Sequence, residues 1–374
     1  MGTTRLQAVR KQLNYSADSV IRLLRGRAET LGLSVMSPTS LKTKLSRWEN
    51  GHEQVSLPHY RRLFRDVYGR TNAELGFPDE PETEEATELR TRLKVARSVD
   101  AETVELFRRQ VDHARHVDRK FGAASLLDQL RSHIKQVEDL LTFGTLSGQR
   151  EALAGVLTEA STLAGWEALD RDAASQSWAH YERAKSAARE AGSTELLAHA
   201  IAEQSFVLVD IGETALAVDQ LAEARALAEH GAPPLLRAWL AAAHGEGLAT
   251  VGQRADALRA FDTASSLLPN EVVHPQLPFL FLGGAHLDRW RGNALAKLGE
   301  PDAIDQLTDA LPRLPKEFAR AKSRILVDLA FAYAAAGDRD AAHSHARQAR
   351  QLCKEIKSDR ELRRLRNLVL PGAA

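Results

Sequence analysis

The chain is 374 residues long, carries 50 basic and 50 acidic residues, and contains 44% hydrophobic residues, 6% aromatics and one cysteine. That length exceeds one ordinary core and calls for two or three domains, or one domain and a repeat array. The lone Cys353 excludes a disulfide framework and a cysteine-based zinc site, and the absence of any 18-residue apolar run predicts a soluble, cytoplasmic chain with no membrane partner. Ala and Leu dominate and no run alternates β-branched residues with period two, so an all-α fold is expected.

The neutral total hides a split, because residues 1–75 hold thirteen Lys and Arg against six Asp and Glu. Leu6, Val9 and Leu13 make a first helical stripe. Val20, Leu23, Leu24, Ala28 and Leu31 make a second, opened by Ser16 and ended by Gly32. Ser37 then serves as N-cap with Pro38 at the first helical position. Leu41, Leu45 and Trp48 follow on one face, with Thr39, Ser40, Lys42, Thr43, Lys44, Ser46 and Arg47 on the remainder. Cations and hydroxyls on an apolar anchor suit a major groove, where they meet phosphates and guanine edges. A fourth helix turns Tyr60, Leu63, Phe64, Val67 and Tyr68 inward and stops at Gly69.

The run Leu41-Lys42-Thr43-Lys44-Leu45-Ser46-Arg47-Trp48-Glu49-Asn50-Gly51 resembles the recognition helix and following turn of the XRE (phage-repressor-like) helix-turn-helix family. The resemblance implies that Lys42, Thr43, Lys44 and Arg47 approach double-stranded DNA, with Thr39 and Ser40 as further DNA-binding candidates, that Leu45 and Trp48 are core, and that Glu49 is a residue that in this family more often supports the fold than touches a base. The connection 32–37 is longer than the tight turn usual in that family.

Pro78 to Glu85 is acidic and proline-broken, the composition of a linker. Residues 89–146 read as connecting or capping helices, with stripes such as Val104, Phe107 and Val111, then Leu130, Ile134, Val137 and Leu141. His113 and His116, three apart, lack a further ligand set and read as a solvated face, so no metal and no cofactor is expected. The expected division is therefore 1–77, linker 78–88, connecting helices 89–146 and repeats 147–374.

From about residue 150 the chain repeats every 40 residues or so, against roughly 34 in the standard tetratricopeptide (TPR) unit. Gly245…Leu248…Gly252…Ala257…Phe261…Ala264…Pro269 resembles that unit closely, second and third copies begin at Gly292 and Ala330, and weaker ones begin at Leu208 and Gly165. Five helix pairs stacked as a right-handed TPR-like α-solenoid follow, with small residues allowing close approach and a large residue filling the gap. First helices would line a concave face with Trp166, His199, Phe206, Asp210, Trp239, Glu246, His286, Arg289, Asn293 and Arg324. Such a groove could hold an extended peptide, Asn293 pairing its backbone and Arg289 or Arg324 its carboxylate.

The whole arrangement resembles actinobacterial XRE-family regulators with a C-terminal TPR domain. This implies a homodimeric transcriptional regulator whose solenoid senses a peptide, a small molecule or a protein. The alternative is a TPR adaptor whose helix-turn-helix does not bind DNA. No phosphate loop, HExxH, nucleophile elbow or dinucleotide fingerprint is present, so no catalytic residue and no enzyme activity are expected.

Overall fold

The computed structural model describes residues 3–78, 84–122, 126–144, 148–270, 274 and 277–372. Among the described residues the chain is all-α with no strand. No described helix is long and apolar enough to cross a membrane. The chain divides into two compact units, Met1–Leu89 and Arg90–Ala374. Residues 79–83 of the expected acidic linker, and the boundary expected between 146 and 147, lie outside the described residues; Glu84 and Glu85 form the first turn of a helix.

The first unit contains α1 (Arg5–Gln12), α2 (Ala17–Thr30), α3 (Pro38–Glu49), α4 (Pro58–Tyr68) and α5 (Asn72–Leu75). Hydroxyls start four of them: Thr4, Ser16, Ser37 and Thr71 each accept a hydrogen bond from a backbone N–H in the first turn. Trp48 sits at the centre, 5.3 Å from the Tyr60 ring and 5.9 Å edge-on to Phe64. Glu49 is buried and accepts from Arg10 Nε at 2.6 Å and Nη2 at 2.7 Å, so α1 clasps the end of α3. The long connection before α3 is anchored where the Met36 N–H donates to Tyr60 Oη at 2.8 Å. Leu23 departs from the expected stripe: it is 43% exposed, because the buried phase of α2 runs through Val20, Ile21, Leu24 and Ala28.

α6 (Glu84–Arg97) leads into the second unit, followed by α7 (Ala101–Phe121) and α8 (Leu127–Phe143). Five helix pairs come next: α9 (Arg150–Asp170) with α10 (Ala174–Glu190), α11 (Thr194–Ile211) with α12 (Thr214–Leu227), α13 (Pro234–Thr250) with α14 (Arg254–Leu267), α15 (Ala285–Leu298) with α16 (Asp302–Arg313), and α17 (Ala319–Ala335) with α18 (Arg339–Ile356). Each pair packs internally, and each first helix also packs on the next first helix, which makes a TPR-like α-solenoid.

Glycine lets the paired helices approach. A Cβ on Gly165 would stand 2.8 Å from the Tyr181 ring, one on Gly245 2.8 Å from the Phe261 ring, and one on Gly292 2.7 Å from Leu307. Gly245→Val is therefore expected to destabilise the repeat unit by about 1–3 kcal/mol through overpacking, read as a lower urea midpoint. An unchanged midpoint would show that the α13–α14 interface is loose.

Three features line the inner face that the repeat pattern alone leaves open. α7 packs on both α9 and α17, and a last helix, α19 (Asp359–Arg366), packs on both α9 and α17. The irregular connection after α14 also turns inward, burying Leu277, Leu280 and Leu282 in the central core. Exposing those side chains on an outer loop would forfeit about 1.5–3 kcal/mol each.

Candidate functional site

Two surfaces collect the residues with chemistry to offer. On α3, Leu41, Leu45 and Trp48 are buried while Thr39, Ser40, Lys42, Thr43 and Arg47 are exposed and Lys44 is half-exposed. The six polar side chains thus share the solvent side of a helix held rigidly by its aromatic anchor. Lys42 Nζ donates to Asp18 Oδ1 at 2.8 Å, Lys44 pairs with Glu53, and Arg47 lies 4.0 Å from the other Glu53 oxygen. These pairs are solvent-exposed or nearly so, and such contacts are worth little, so phosphate could displace them.

The second surface is a cavity of about 240 Å³ inside the repeat unit. Its walls come from the first helices α9, α11, α13, α15 and α17, with α7 and the inward connection covering it. Eight of the ten residues expected on the concave face line it: Trp166, His199, Phe206, Trp239, Glu246, His286, Arg289 and Arg324. The other two lie elsewhere. Asp210 borders an adjoining recess that shares Phe206, Glu246 and Arg324 with the cavity, and there Arg360 and Arg363 of α19 grip it at 2.6 and 2.8 Å. Asn293 is 1% exposed; its Nδ2 donates to Asp328 Oδ2 at 2.5 Å and its Oδ1 accepts from Arg324 at 3.5 Å. Its burial, and not exhaustion of its amide, is what keeps it out of the cavity wall where it was expected to pair a peptide backbone.

The cavity walls are aromatic. His199 lies 4.9 Å from the Trp239 ring and 4.3 Å from Phe279, while Trp290 meets Trp239 at 5.6 Å and Phe206 at 6.1 Å. Burial, then the charge of Arg115, pushes the His199 imidazole down to about 3; burial, then Arg289, does the same to His286. Both rings are neutral at pH 7. Phe279 and Phe281 enter from the connection, where the guanidinium of Arg119 lies 4.3 Å above the Phe281 ring. An open groove lined by first helices alone was expected; α7 and the connection bearing Phe279 and Phe281 also line it, which leaves a half-open pocket.

Charges in the cavity are unevenly paired. Glu246 is 2% exposed; burial alone would raise its pKa, but Arg324 and Lys297 override that and hold it at about 2. Arg115 Nη2 donates to Glu159 Oε2 at 2.6 Å and Nη1 to Asp112 Oδ1 at 2.6 Å. Arg320 reaches Asp118 at 2.5 Å, Glu167 at 3.1 Å and Asp170 at 3.3 Å. Glu203 accepts a 3.3 Å hydrogen bond from Tyr181 Oη, and burial pushes its carboxyl up to about 7. Arg289 and Arg119 differ: among the described residues neither has a carboxylate within 4 Å or a hydrogen bond, and of the two Arg289 is the buried one, at 9% exposed.

Sequence reasoning missed Glu203, Trp290, Phe279, Phe281, Arg115, Arg119 and Arg320. Glu203 was within reach, since it follows His199 by one helical turn on the same face. Trp290 adjoins Arg289 on α15. Neither α7 nor the connection belongs to a repeat, so periodicity could not place their residues.

The chain matches no protein-family model. No curated protein matches it either. Among solved structures it is similar to nearly identical TPR-like repeats of a candidate kinesin light chain from Podosopora anserina. One crystal structure of those repeats shares 15% identity over 52% of this chain and 94% of that chain, with a TM-score of 0.34. A crystal structure of a point variant of the same repeats shares 14% identity over 53% of this chain and 94% of that chain, with a TM-score of 0.35.

Proposed function

We propose that this chain is a cytoplasmic, non-enzymatic regulator: the first unit docks on double-stranded DNA through α3, and the repeat unit holds a ligand in its inner cavity. The observation that carries the reading is the α3 face, where three cations and three hydroxyls surround a helix fixed by Leu41, Leu45 and Trp48. One such helix covers too little DNA for a specific site, so the reading requires a homodimer. In a gel-shift series on DNA fragments of the encoding genome, the intact chain is expected to retain probe at low salt. Its affinity should fall steeply with salt, and replacing Lys42, Lys44 and Arg47 together by Ala should flatten the log–log slope by about 3. Absence of any shift at low salt contradicts DNA binding.

The second reading is a TPR adaptor without DNA contact. Its support is the neutralisation of the same face by Asp18 and Glu53, together with a repeat architecture that serves as a scaffold for ligands of many kinds. An adaptor would keep its effect in cells after the triple substitution; the regulator would lose it.

A further inference from the structure

Among the described residues lining the inner cavity, two cations have neither a carboxylate within 4 Å nor a hydrogen bond: Arg119, which stacks on Phe281 and Phe318, and Arg289, which is buried. The Arg289 guanidinium lines the inner cavity, its Nε is buried without a partner, and its central carbon lies 5.6 Å from the centre of the Trp290 ring. Glu246, the acid beside it in the same wall, is already balanced by Arg324 and Lys297. Arg324 also faces the cavity, but its Nη2 is engaged by Glu246 and Asn293, which leaves only its Nε buried without a partner. Trp290 Nε1, likewise buried and lining the cavity, has no hydrogen-bond acceptor either. An unsatisfied cation and an unsatisfied N–H, adjacent on one helix and turned to one space, ask for an acceptor with two oxygens.

We propose that the cavity binds a small amphipathic carboxylate, its anion on Arg289 and Trp290 Nε1 and its flat apolar body among Trp239, Phe206 and Phe279. This rests on the reading of the repeat unit as the ligand-holding part and is independent of whether α3 touches DNA. Size fits the class: an apolar cavity of about 150 Å³ holds benzene, so one of about 240 Å³ accommodates roughly a bicyclic ring with a short acidic arm. Of the other acids in the wall, Glu159 and Asp118 are paired with Arg115 and Arg320, and Glu203 is bonded to Tyr181 and kept substantially protonated near neutrality by burial, so they oppose an anion weakly. Burial, then Arg324, lowers the Arg289 pKa to about 10, which leaves it charged at pH 7.

The test is calorimetric titration of the full chain with three probes of one shape: indole-3-propionate, its primary amide, and 3-(indol-3-yl)propylamine. The acid is expected to bind at least about tenfold tighter than the amide, and the amine more weakly still. Arg289→Gln should weaken the acid by about 10- to 100-fold and leave the amide within about threefold. It should also raise the melting temperature of the ligand-free protein by a few degrees, because a buried charge that makes no hydrogen bond and is offset only at a distance by Glu246, Asp328 and Glu361 has been removed. A merely structural Arg289 would lower that temperature. Equal binding of acid and amide, preference for the amine, no binding of the acid at about 1 mM, or a destabilised Arg289→Gln each overturns the proposal. Because the ligand-free chain is used for gel shifts, failure here leaves the DNA reading intact, and the converse also holds.

Discussion

Arg320→Met is expected to destabilise the repeat unit by about 3–5 kcal/mol at pH 7, because it strands three buried carboxylates on two helices. Arg320 lies on α17, Asp118 on α7, and Glu167 and Asp170 on α9, so this one cation ties three helices together across the inner face. Glu167 and Asp170 are 0% and 3% exposed. Burial alone would lower the guanidinium pKa; the three acids outweigh it and hold it above the ordinary arginine range. The sign of the pH dependence follows. Burial, then the Asp118 charge, keeps Glu167 well above the usual carboxylate range even with Arg320 present, and burial raises Asp170 as well. Without Arg320 both rise further. A folded-state acid pKa above the unfolded one contributes stability at low pH that is lost as pH rises through the folded value. The variant's deficit should therefore shrink between pH 7.5 and pH 5, and urea melts at the two pH values read it. A deficit under about 1 kcal/mol, or one independent of pH, would mean that the cluster is hydrated and not a clasp.

Glu203→Gln acts in the opposite direction. Its carboxyl is raised from 4.5 to about 7, by burial first and against the hydrogen bond from Tyr181 and the charge of Arg360; Glu246 adds to the rise, and neutral His199 lies 3.7 Å away. The native fold thus prefers the protonated acid: this group's contribution is complete below about pH 4.5 and is lost as pH rises through about 7. Each unit corresponds to about 1.4 kcal/mol, so the wild-type chain carries a penalty of about 2–3 kcal/mol at pH 8 that Gln does not. Tyr181 Oη can still donate to the Gln carbonyl. The expected result is a variant that matches wild type at pH 4.5 and exceeds it by that amount at pH 8 in paired urea melts. Equal stability at pH 8 would place Glu203 in contact with water.

Much of the architecture was legible in the residues. Ser37 and Pro38 marked the start of α3, Gly51 and Gly69 the ends of their helices, and the pairing of Gly245 with Phe261 announced how α13 meets α14. Those signals are local, set by capping, backbone conformation and helical period. The inner face was harder to read. Period placed Trp166, His199, Phe206, Trp239 and Arg289 toward a common space, but period says nothing of what closes that space. α7, α19 and the connection bearing Phe279 obey no repeat, and their docking is a long-range matter of charge and shape: Arg360 on Asp210, Arg320 on Asp118. The same long-range pairing took Asn293 out of the cavity and joined it to Asp328. Leu23 shows the limit at short range, since a stripe with apolar residues on both sides of the true face leaves the helical phase ambiguous by one position.

Central to the proposed function is α3 as a DNA-reading element. Its most direct test is selection of bound fragments from the encoding genome with the intact chain and with the Lys42, Lys44 and Arg47 to Ala variant in parallel. The intact chain is expected to enrich a shared sequence of two half-sites about one helical turn, or a multiple of it, apart, and the variant to enrich none. Recovery of the same fragments by both proteins, or of no common sequence by either, would contradict DNA reading by α3.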